Sequence, residues 1–305
     1  MLAIKHILYS YIMGIYLLAK DFFDYYILHK KLNIRYMEYH IAEHCNLNCK
    51  ACGHLSNITK PEFPDLKGYI RDINRLSDLL ENIDKIRLMG GEPLLNPELG
   101  QFIIETKKAF PNTDLRIVSN GLLVPKISEE LIQIIKDNDV TFDITQYPPT
   151  EKMINEIKSF FNKYNIKNEI SEKVNYFVVS QRKTAQNGIL KHKIYKHCNS
   201  RYCHFLTDGK MAVCAKPFVF SKNGIEYSHF TEDTVDIYDK KINSYKLKRI
   251  LNKPINGCLS CEVDNMVQIK WEGGYKEKYL YIDDYINCDT PESEYRLAKV
   301  FSRIK

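Results

Sequence analysis

The sequence predicts an α/β protein built on a parallel sheet and closed by a small cysteine-rich C-terminal cap. Three observations carry that expectation. From residue 37 to about 180, short apolar runs alternate with stretches of helical period, the mark of βαβ units. Every distinctive polar motif falls at the C-terminal end of an expected strand, where such sheets place ligands. Beyond about residue 185 the rhythm stops and cysteines take over. The 305 residues make one large domain with an appendage, and 44% hydrophobic with 27% charged residues is a globular balance.

Residues 1–36 carry Ile7, Leu8, Tyr11, Ile12, Ile15, Tyr16, Leu17, Leu18, Phe22, Phe23, Tyr25, Tyr26 and Ile27 at broadly helical spacing. This segment reads as a helix packed on the rest of the chain, or as an interfacial helix contacting a membrane through residues 1–30. No run reaches the ~18–20 apolar residues of a spanning helix, and no small-residue cleavage site marks a signal peptide. The expected compartment is the cytoplasm, with that segment as a peripheral contact to the inner face of the membrane.

Met37–Ala42 reads as the first strand, with a cysteine motif directly after it. A helix over Ile70–Asn82 leads to a strand at Lys85–Met89, which ends in Gly90-Gly91-Glu92-Pro93. Leu99–Ala109 is helical, and the strand Leu115–Ser119 ends in Asn120-Gly121. Ser128 is a plausible N-cap for a helix to Asn138. Val140–Thr145 is a strand, Glu151–Tyr164 a helix, and Val174–Val179 a further strand. The expected division is 1–36, 37–185 and 186–305. In the last part Asp208-Gly209 signals a hairpin between Phe205-Leu206 and Met211-Ala212-Val213, and a Lys-rich helix follows near 240–252.

Nine cysteines are too few for a disulfide scaffold, and an odd number. Cys45, Cys49 and Cys52 fall within eight residues; Cys198, Cys203, Cys214, Cys258 and Cys261 make a second group; Cys288 stands apart as an ordinary thiol. Only ten of the 44 basic residues are arginine, a lysine bias that argues against a nucleic-acid surface. Three thiolates in one loop can surround a metal centre but cannot close a four-coordinate zinc site. Either His44 or His54 completes zinc ligation, or an iron–sulfur cluster is held with one iron left open.

Cys45-x₃-Cys49-x₂-Cys52 after one strand and Gly90-Gly91-Glu92-Pro93 after the next resemble the radical S-adenosylmethionine (SAM) superfamily over residues 37–180. Ala51 stands where an aromatic is frequent. The resemblance implies a partial (β/α)6 barrel in which Cys45, Cys49 and Cys52 hold a [4Fe-4S] cluster with an open site. It implies that Gly90, Gly91, Glu92 and Pro93 contact the methionine amino group of SAM, with Ser119 and Asn120 lining its side. The second cysteine group resembles the SPASM/Twitch extension of that superfamily. It implies one auxiliary [4Fe-4S] cluster on Cys214, Cys258, Cys261 and either Cys198 or Cys203, preferably Cys198; structural zinc is the alternative. The implied chemistry is reductive cleavage of SAM to a 5′-deoxyadenosyl radical, which abstracts a hydrogen atom from substrate, with a flavodoxin- or ferredoxin-type electron donor. Compact members associated with surface polysaccharides suggest oxidation or epimerisation of a small or carrier-linked carbohydrate; a peptide maturase is the runner-up, and a zinc-stabilised binding module the non-enzymatic reading. Gln146 and Tyr147, after the fourth strand, are candidate substrate contacts. His44, His197 and His204 flank cysteines as candidates for tuning a cluster, and Trp271-Glu272-Gly273-Gly274 either covers the site or forms a turn.

Overall fold

Alternating side chains give each expected strand one apolar and one polar face, and the sheet uses both. The computed structural model describes residues 2–276, 281–283 and 295–298. Five parallel strands, β1 (Ile34–Ala42), β2 (Ile83–Gly90), β3 (Asp114–Ser119), β4 (Thr141–Ile144) and β5 (Asn168–Ile170), lie side by side in chain order. After the N-terminal helix α1 (Leu2–Tyr26), the crossovers are α2 (Leu66–Leu79), α3 (Leu99–Ala109), α4 (Glu129–Asp137) and α5 (Pro148–Tyr164). Tyr39, Ile41, Leu88, Ile117 and Phe142 bury one sheet face against Tyr69, Leu76, Phe102, Ile135 and Phe161 of these helices. The opposite face is charged: Arg87 on β2 and Arg116 on β3 both reach Asp143 on β4, at 2.7 Å each. Such a sheet has an apolar outside covered by helices and a polar inside. Ser128 caps α4 as its sequence context predicts, accepting from the Leu131 amide.

The strand expected at 174–179 forms, as β6 (Tyr176–Val179), but not in this sheet. It pairs antiparallel with β10 (Met266–Lys270), which in turn pairs with β11 (Tyr295–Ala298). The large sheet instead takes β7 (Phe205–Thr207), parallel to β1, followed by β8 (Lys210–Ala212) and β9 (Thr234–Asp236) antiparallel. Both sheets therefore cross the boundary expected between residues 185 and 186. The physical reason is edge pairing: β1 would otherwise present a row of open backbone groups on one side.

The hairpin predicted at Asp208-Gly209 joins β7 to β8, with both residues at positive φ (46° and 72°), as a primed turn requires. Around the second cysteine group run α6 (Lys191–His197), α7 (Lys216–Lys222) and α8 (Phe230–Asp233), and α9 (Ser244–Leu251) packs on the main core. Helix α1 rests on α9 through Phe22, Tyr25 and Tyr26 against Tyr245, and through Asp21 with Lys248 at 2.8 Å. Among the described residues no helix is long and apolar enough to cross a membrane. Cys288 lies outside the described residues.

Candidate functional site

The loop after β1 carries Cys45, Cys49 and Cys52 and is wound tightly, with Asn48, Ala51 and Leu55 all at positive φ (46°, 53° and 58°). Non-glycine residues hold such angles only where their surroundings impose them. Here the imposing segment is 271–275. Glu272 O accepts from Lys50 N (2.9 Å), while Gly274 N and Tyr275 N donate to Leu47 O (3.0 Å) and Asn48 O (2.8 Å). The Trp271-Glu272-Gly273-Gly274 run thus covers the cysteine loop. Ala51 packs with Val179, Val267, Ile269 and Ile282, so the second sheet buttresses the loop at the position where an aromatic is frequent.

Each of the three sulfurs meets hydrogen-bond donors. Trp271 Nε1 donates to Cys49 Sγ at 3.2 Å and Asn120 Nδ2 to Cys45 Sγ at 3.6 Å, while backbone donors at His54, Leu55 and Ser56 face Cys52. Burial pushes the Cys45 and Cys49 thiols up to about 11 and about 12 and also raises Cys52. A metal bound here must therefore displace protons, and the donors then stabilise the thiolates left behind. The two candidate histidines have other neighbours. His54 Nδ1 is engaged by His40 Nε2 at 2.9 Å, and the His44 ring lies against Phe63. Among the described residues no three His, Cys, Asp or Glu side chains converge as one metal ion would need. Thiolates around one zinc stand about 3.8 Å apart, given a Zn–S bond of about 2.3 Å; an iron–sulfur cubane is a wider body and spreads its ligands.

The Gly90-Gly91-Glu92-Pro93 segment abuts this loop. A Cβ on Gly90 would lie 2.1 Å from Ala42 O, and one on Gly91 1.9 Å from His44 O. The glycines thus serve first to let β2 pass beneath the cysteine loop, with Gly91 N on Ala42 O at 2.7 Å and Glu92 N on His44 O at 3.0 Å. Glu92 is wholly buried and accepts from Leu94 N (3.0 Å), Ser119 Oγ (2.8 Å) and Asn120 N (2.9 Å). Burial raises its carboxyl to about 7 against those donors. Three of its roughly four acceptor sites are filled. Pro93, also buried, opens the short 3₁₀ turn Pro93–Leu95. Asn120 in addition bonds Asn46 (2.8 Å), tying the end of β3 to the cysteine loop.

Tyr147, at the N-cap of α5, is half-buried, its ring stacked on Trp271 with centroids 6.1 Å apart. Burial, then the nearby Cys49, raises its phenol. Gln146 is half-buried one residue earlier and uses its backbone to receive Val174 N and to bond Ser171.

All five cysteines of the second group line one cavity of about 370 Å³, together with Gly53 and His54 of the first loop and His197. The geometry separates them. Cys198 feels Cys261 most strongly of its charged neighbours and is met by a backbone donor at Ser200, whereas the Cys203 thiol is paired with the Glu38 carboxylate. Burial pushes Cys214 and Cys258 up to about 12. Asp233 fixes the turn before Cys258 by accepting from Asn256 N (2.6 Å) and Gly257 N (2.7 Å). His204 is buried on the β7 side, its imidazole lowered to about 4 by that burial. Sequence spacing gave no signal for Lys216, whose ammonium enters this cavity beside Cys261, at 2.9 Å from Sγ.

Residues 39–170 match the family described as the radical SAM superfamily. The matched segment is less than half of the chain. It includes Cys45, Cys49, Cys52, Glu92, Ser119 and Asn120. Among curated relatives, GTP 3′,8-cyclase of Clostridium acetobutylicum is 35% identical over 109 residues, 32% of this chain and 31% of that one. The enzyme of the same name from Alkaliphilus oremlandii is 30% identical over 103 residues, with the same coverage. The match thus spans about a third of the length of the curated relatives. Among solved structures, BtrN in complex with AdoMet and 2-DOIA superposes with a TM-score of 0.47 at 17% identity, covering 76% of this chain and 94% of that one. Streptococcus suis SuiB bound to S-adenosylmethionine gives 0.37 at 16% identity, covering 45% and 33%.

Proposed function

We propose that the chain is an enzyme that cleaves SAM reductively at Cys45, Cys49 and Cys52 and takes a hydrogen atom from a carbohydrate or polyol. The observation that carries this is the trio of thiols in the segment that matches the radical SAM superfamily, each met by donors and seated against the Gly-Gly-Glu-Pro and Ser-Asn strand ends. When bound, the cluster and SAM supply the electron transfer and the 5′-deoxyadenosyl radical. The chain's part is geometric. Asn120 and Trp271 orient two of the sulfurs. Gly90 and Gly91 bring the SAM-facing strand end against the cysteine loop. Glu92 holds β2 to β3 and keeps one acceptor site for the methionine ammonium. Segment 271–275 and Tyr147 exclude water above the loop.

In this reading Cys198, Cys214, Cys258 and Cys261 hold an auxiliary [4Fe-4S] cluster. Cys203 is the spare, since its thiol faces a carboxylate rather than donors. Net oxidation would use the auxiliary cluster as electron acceptor; epimerisation would not.

Anaerobically reconstituted enzyme, reduced and given SAM, is incubated with free and nucleotide-linked sugars, with peptides and with GTP. We expect 5′-deoxyadenosine release to rise above background with a sugar. A rise with peptides alone would establish the maturase reading, and one with GTP alone the activity named for the curated relatives. A colourless protein that binds zinc and no iron would overturn the enzymatic reading.

A further inference from the structure

Lys216 opens α7, two residues after Cys214, and its half-buried side chain lies among thiols. Nζ donates to Gln181 Oε1 at 2.6 Å and to Cys261 Sγ at 2.9 Å. Among the described residues no carboxylate makes an ion pair with it. The acids of the same cavity are engaged elsewhere: Glu262 with Arg182 at 3.0 Å, and Glu38 with Tyr36 at 2.6 Å and with Cys203. Even a half-buried ammonium without a carboxylate partner carries a desolvation cost. Its neighbours in the cavity are the sulfurs of Cys198, Cys214 and Cys261, which would carry negative charge as cluster ligands. Lys216 and Gln181 also line a second, smaller cavity with Ala51, Cys52 and Gly53, so the lysine stands between the two cysteine groups.

Resting on the auxiliary-cluster reading above, the geometry points to Lys216 as a fixed cation that favours the reduced state of that cluster. A cluster on four thiolates is anionic and gains one further negative charge on reduction. A cation held against a ligating sulfur in a low-dielectric site therefore stabilises the reduced form more than the oxidised one. Lys216 is a tuning residue, and the effect belongs to its charge.

The test is an EPR-monitored redox titration of full-length reconstituted protein, wild type against Lys216→Arg and Lys216→Gln, with iron counted in each. We expect Arg to preserve the second midpoint and Gln to move it to more negative potential, with the first cluster's midpoint unchanged. Loss of the second cluster in Gln but not Arg supports the same requirement for charge. An unchanged midpoint in Gln, or loss of the cluster in both variants, overturns the proposal; so does a raised KM with no change in potential, which would make Lys216 a substrate contact. Wild-type protein with only one cluster would instead sink the auxiliary-cluster reading itself.

A separate observation concerns α1. Ile15, Tyr16, Leu17 and Leu18 are each more than half exposed, and four consecutive positions face every side of a helix. Lys30 and Lys31 lie just beyond the helix, Lys20 within it is paired with Asp24, and α9, against which it rests, adds Lys246 and Arg249. Apolar and aromatic side chains beside a basic foot complement an anionic lipid surface. We infer that α1 docks the protein on such a surface. Full-length protein is sedimented with phosphatidylcholine vesicles with and without phosphatidylglycerol. Binding that requires phosphatidylglycerol, weakens with salt and falls at least tenfold in Leu17→Glu/Leu18→Glu is the expected result. Equal binding to neutral vesicles, no binding, or self-association without vesicle binding would each overturn it.

Discussion

Trp271 donates its indole N–H to Cys49 from 222 residues away in sequence, and no spacing rule announces that contact. A hydrogen bond to a charged group contributes about 1.5–3 kcal/mol. Trp271→Phe keeps a ring beside Tyr147 and removes only the donor. On the proposed reading we predict a more negative midpoint for a cluster on Cys45, Cys49 and Cys52, read by EPR titration; an unchanged midpoint would reduce Trp271 to packing. Glu92 gives a pH prediction. Its folded value of about 7 lies above the ordinary 4.5, so the folded state binds the proton more tightly than the unfolded one. Its contribution is therefore most favourable below pH 4.5 and declines as pH rises to 7, by roughly 3 kcal/mol. Urea denaturation of cluster-free protein across that range should show the decline, and Glu92→Gln should flatten it.

Asp72 of α2 shows how one element fastens another. It accepts from Gly209 N at 2.7 Å and from the Tyr238 hydroxyl at 2.8 Å, locking the β7–β8 hairpin that leads into Cys214. Asp72→Ala leaves the buried Gly209 N–H unpaired and should cost about 1–3 kcal/mol, measurable as a lower urea midpoint. A Cβ at Gly91 would strike the carbonyl of His44, and neither partner is free to yield. On the proposed reading, Gly91→Ala should therefore distort the cysteine loop and lower the iron held by Cys45, Cys49 and Cys52 by at least half; loss of the cooperative thermal transition as well would indicate general misfolding instead.

Across the whole molecule, the two sheets bind the barrel and the cysteine-rich part into one body. Leu206, Met211, Val235, Ile237, Leu247 and Leu251 belong to the same core as the five parallel strands. A fragment ending at residue 185 would lose these and expose the edge of β1. We expect it to lack a cooperative thermal transition by circular dichroism; a fragment that melts cooperatively would establish an independent barrel.

Much of this was legible in sequence because its causes are local. Alternation and helical periodicity dictate which residues face the helices, so β1 to β4 and α2 to α5 stand within a few residues of their expected places. The strand Asn168–Ile170 escaped because three residues are too short to show a period. The cysteine grouping and the Gly-Gly-Glu-Pro motif were readable because close ligands and tight backbone contacts need particular residues at short spacing. What tertiary structure alone decided are contacts made across long stretches of chain: β7 rather than β6 beside β1, Trp271 over Cys49, and Cys203 turned to Glu38. The same holds for Lys216 among three thiols. Such pairings depend on which surfaces meet once the core has closed, and burial then sets the charge of the groups enclosed.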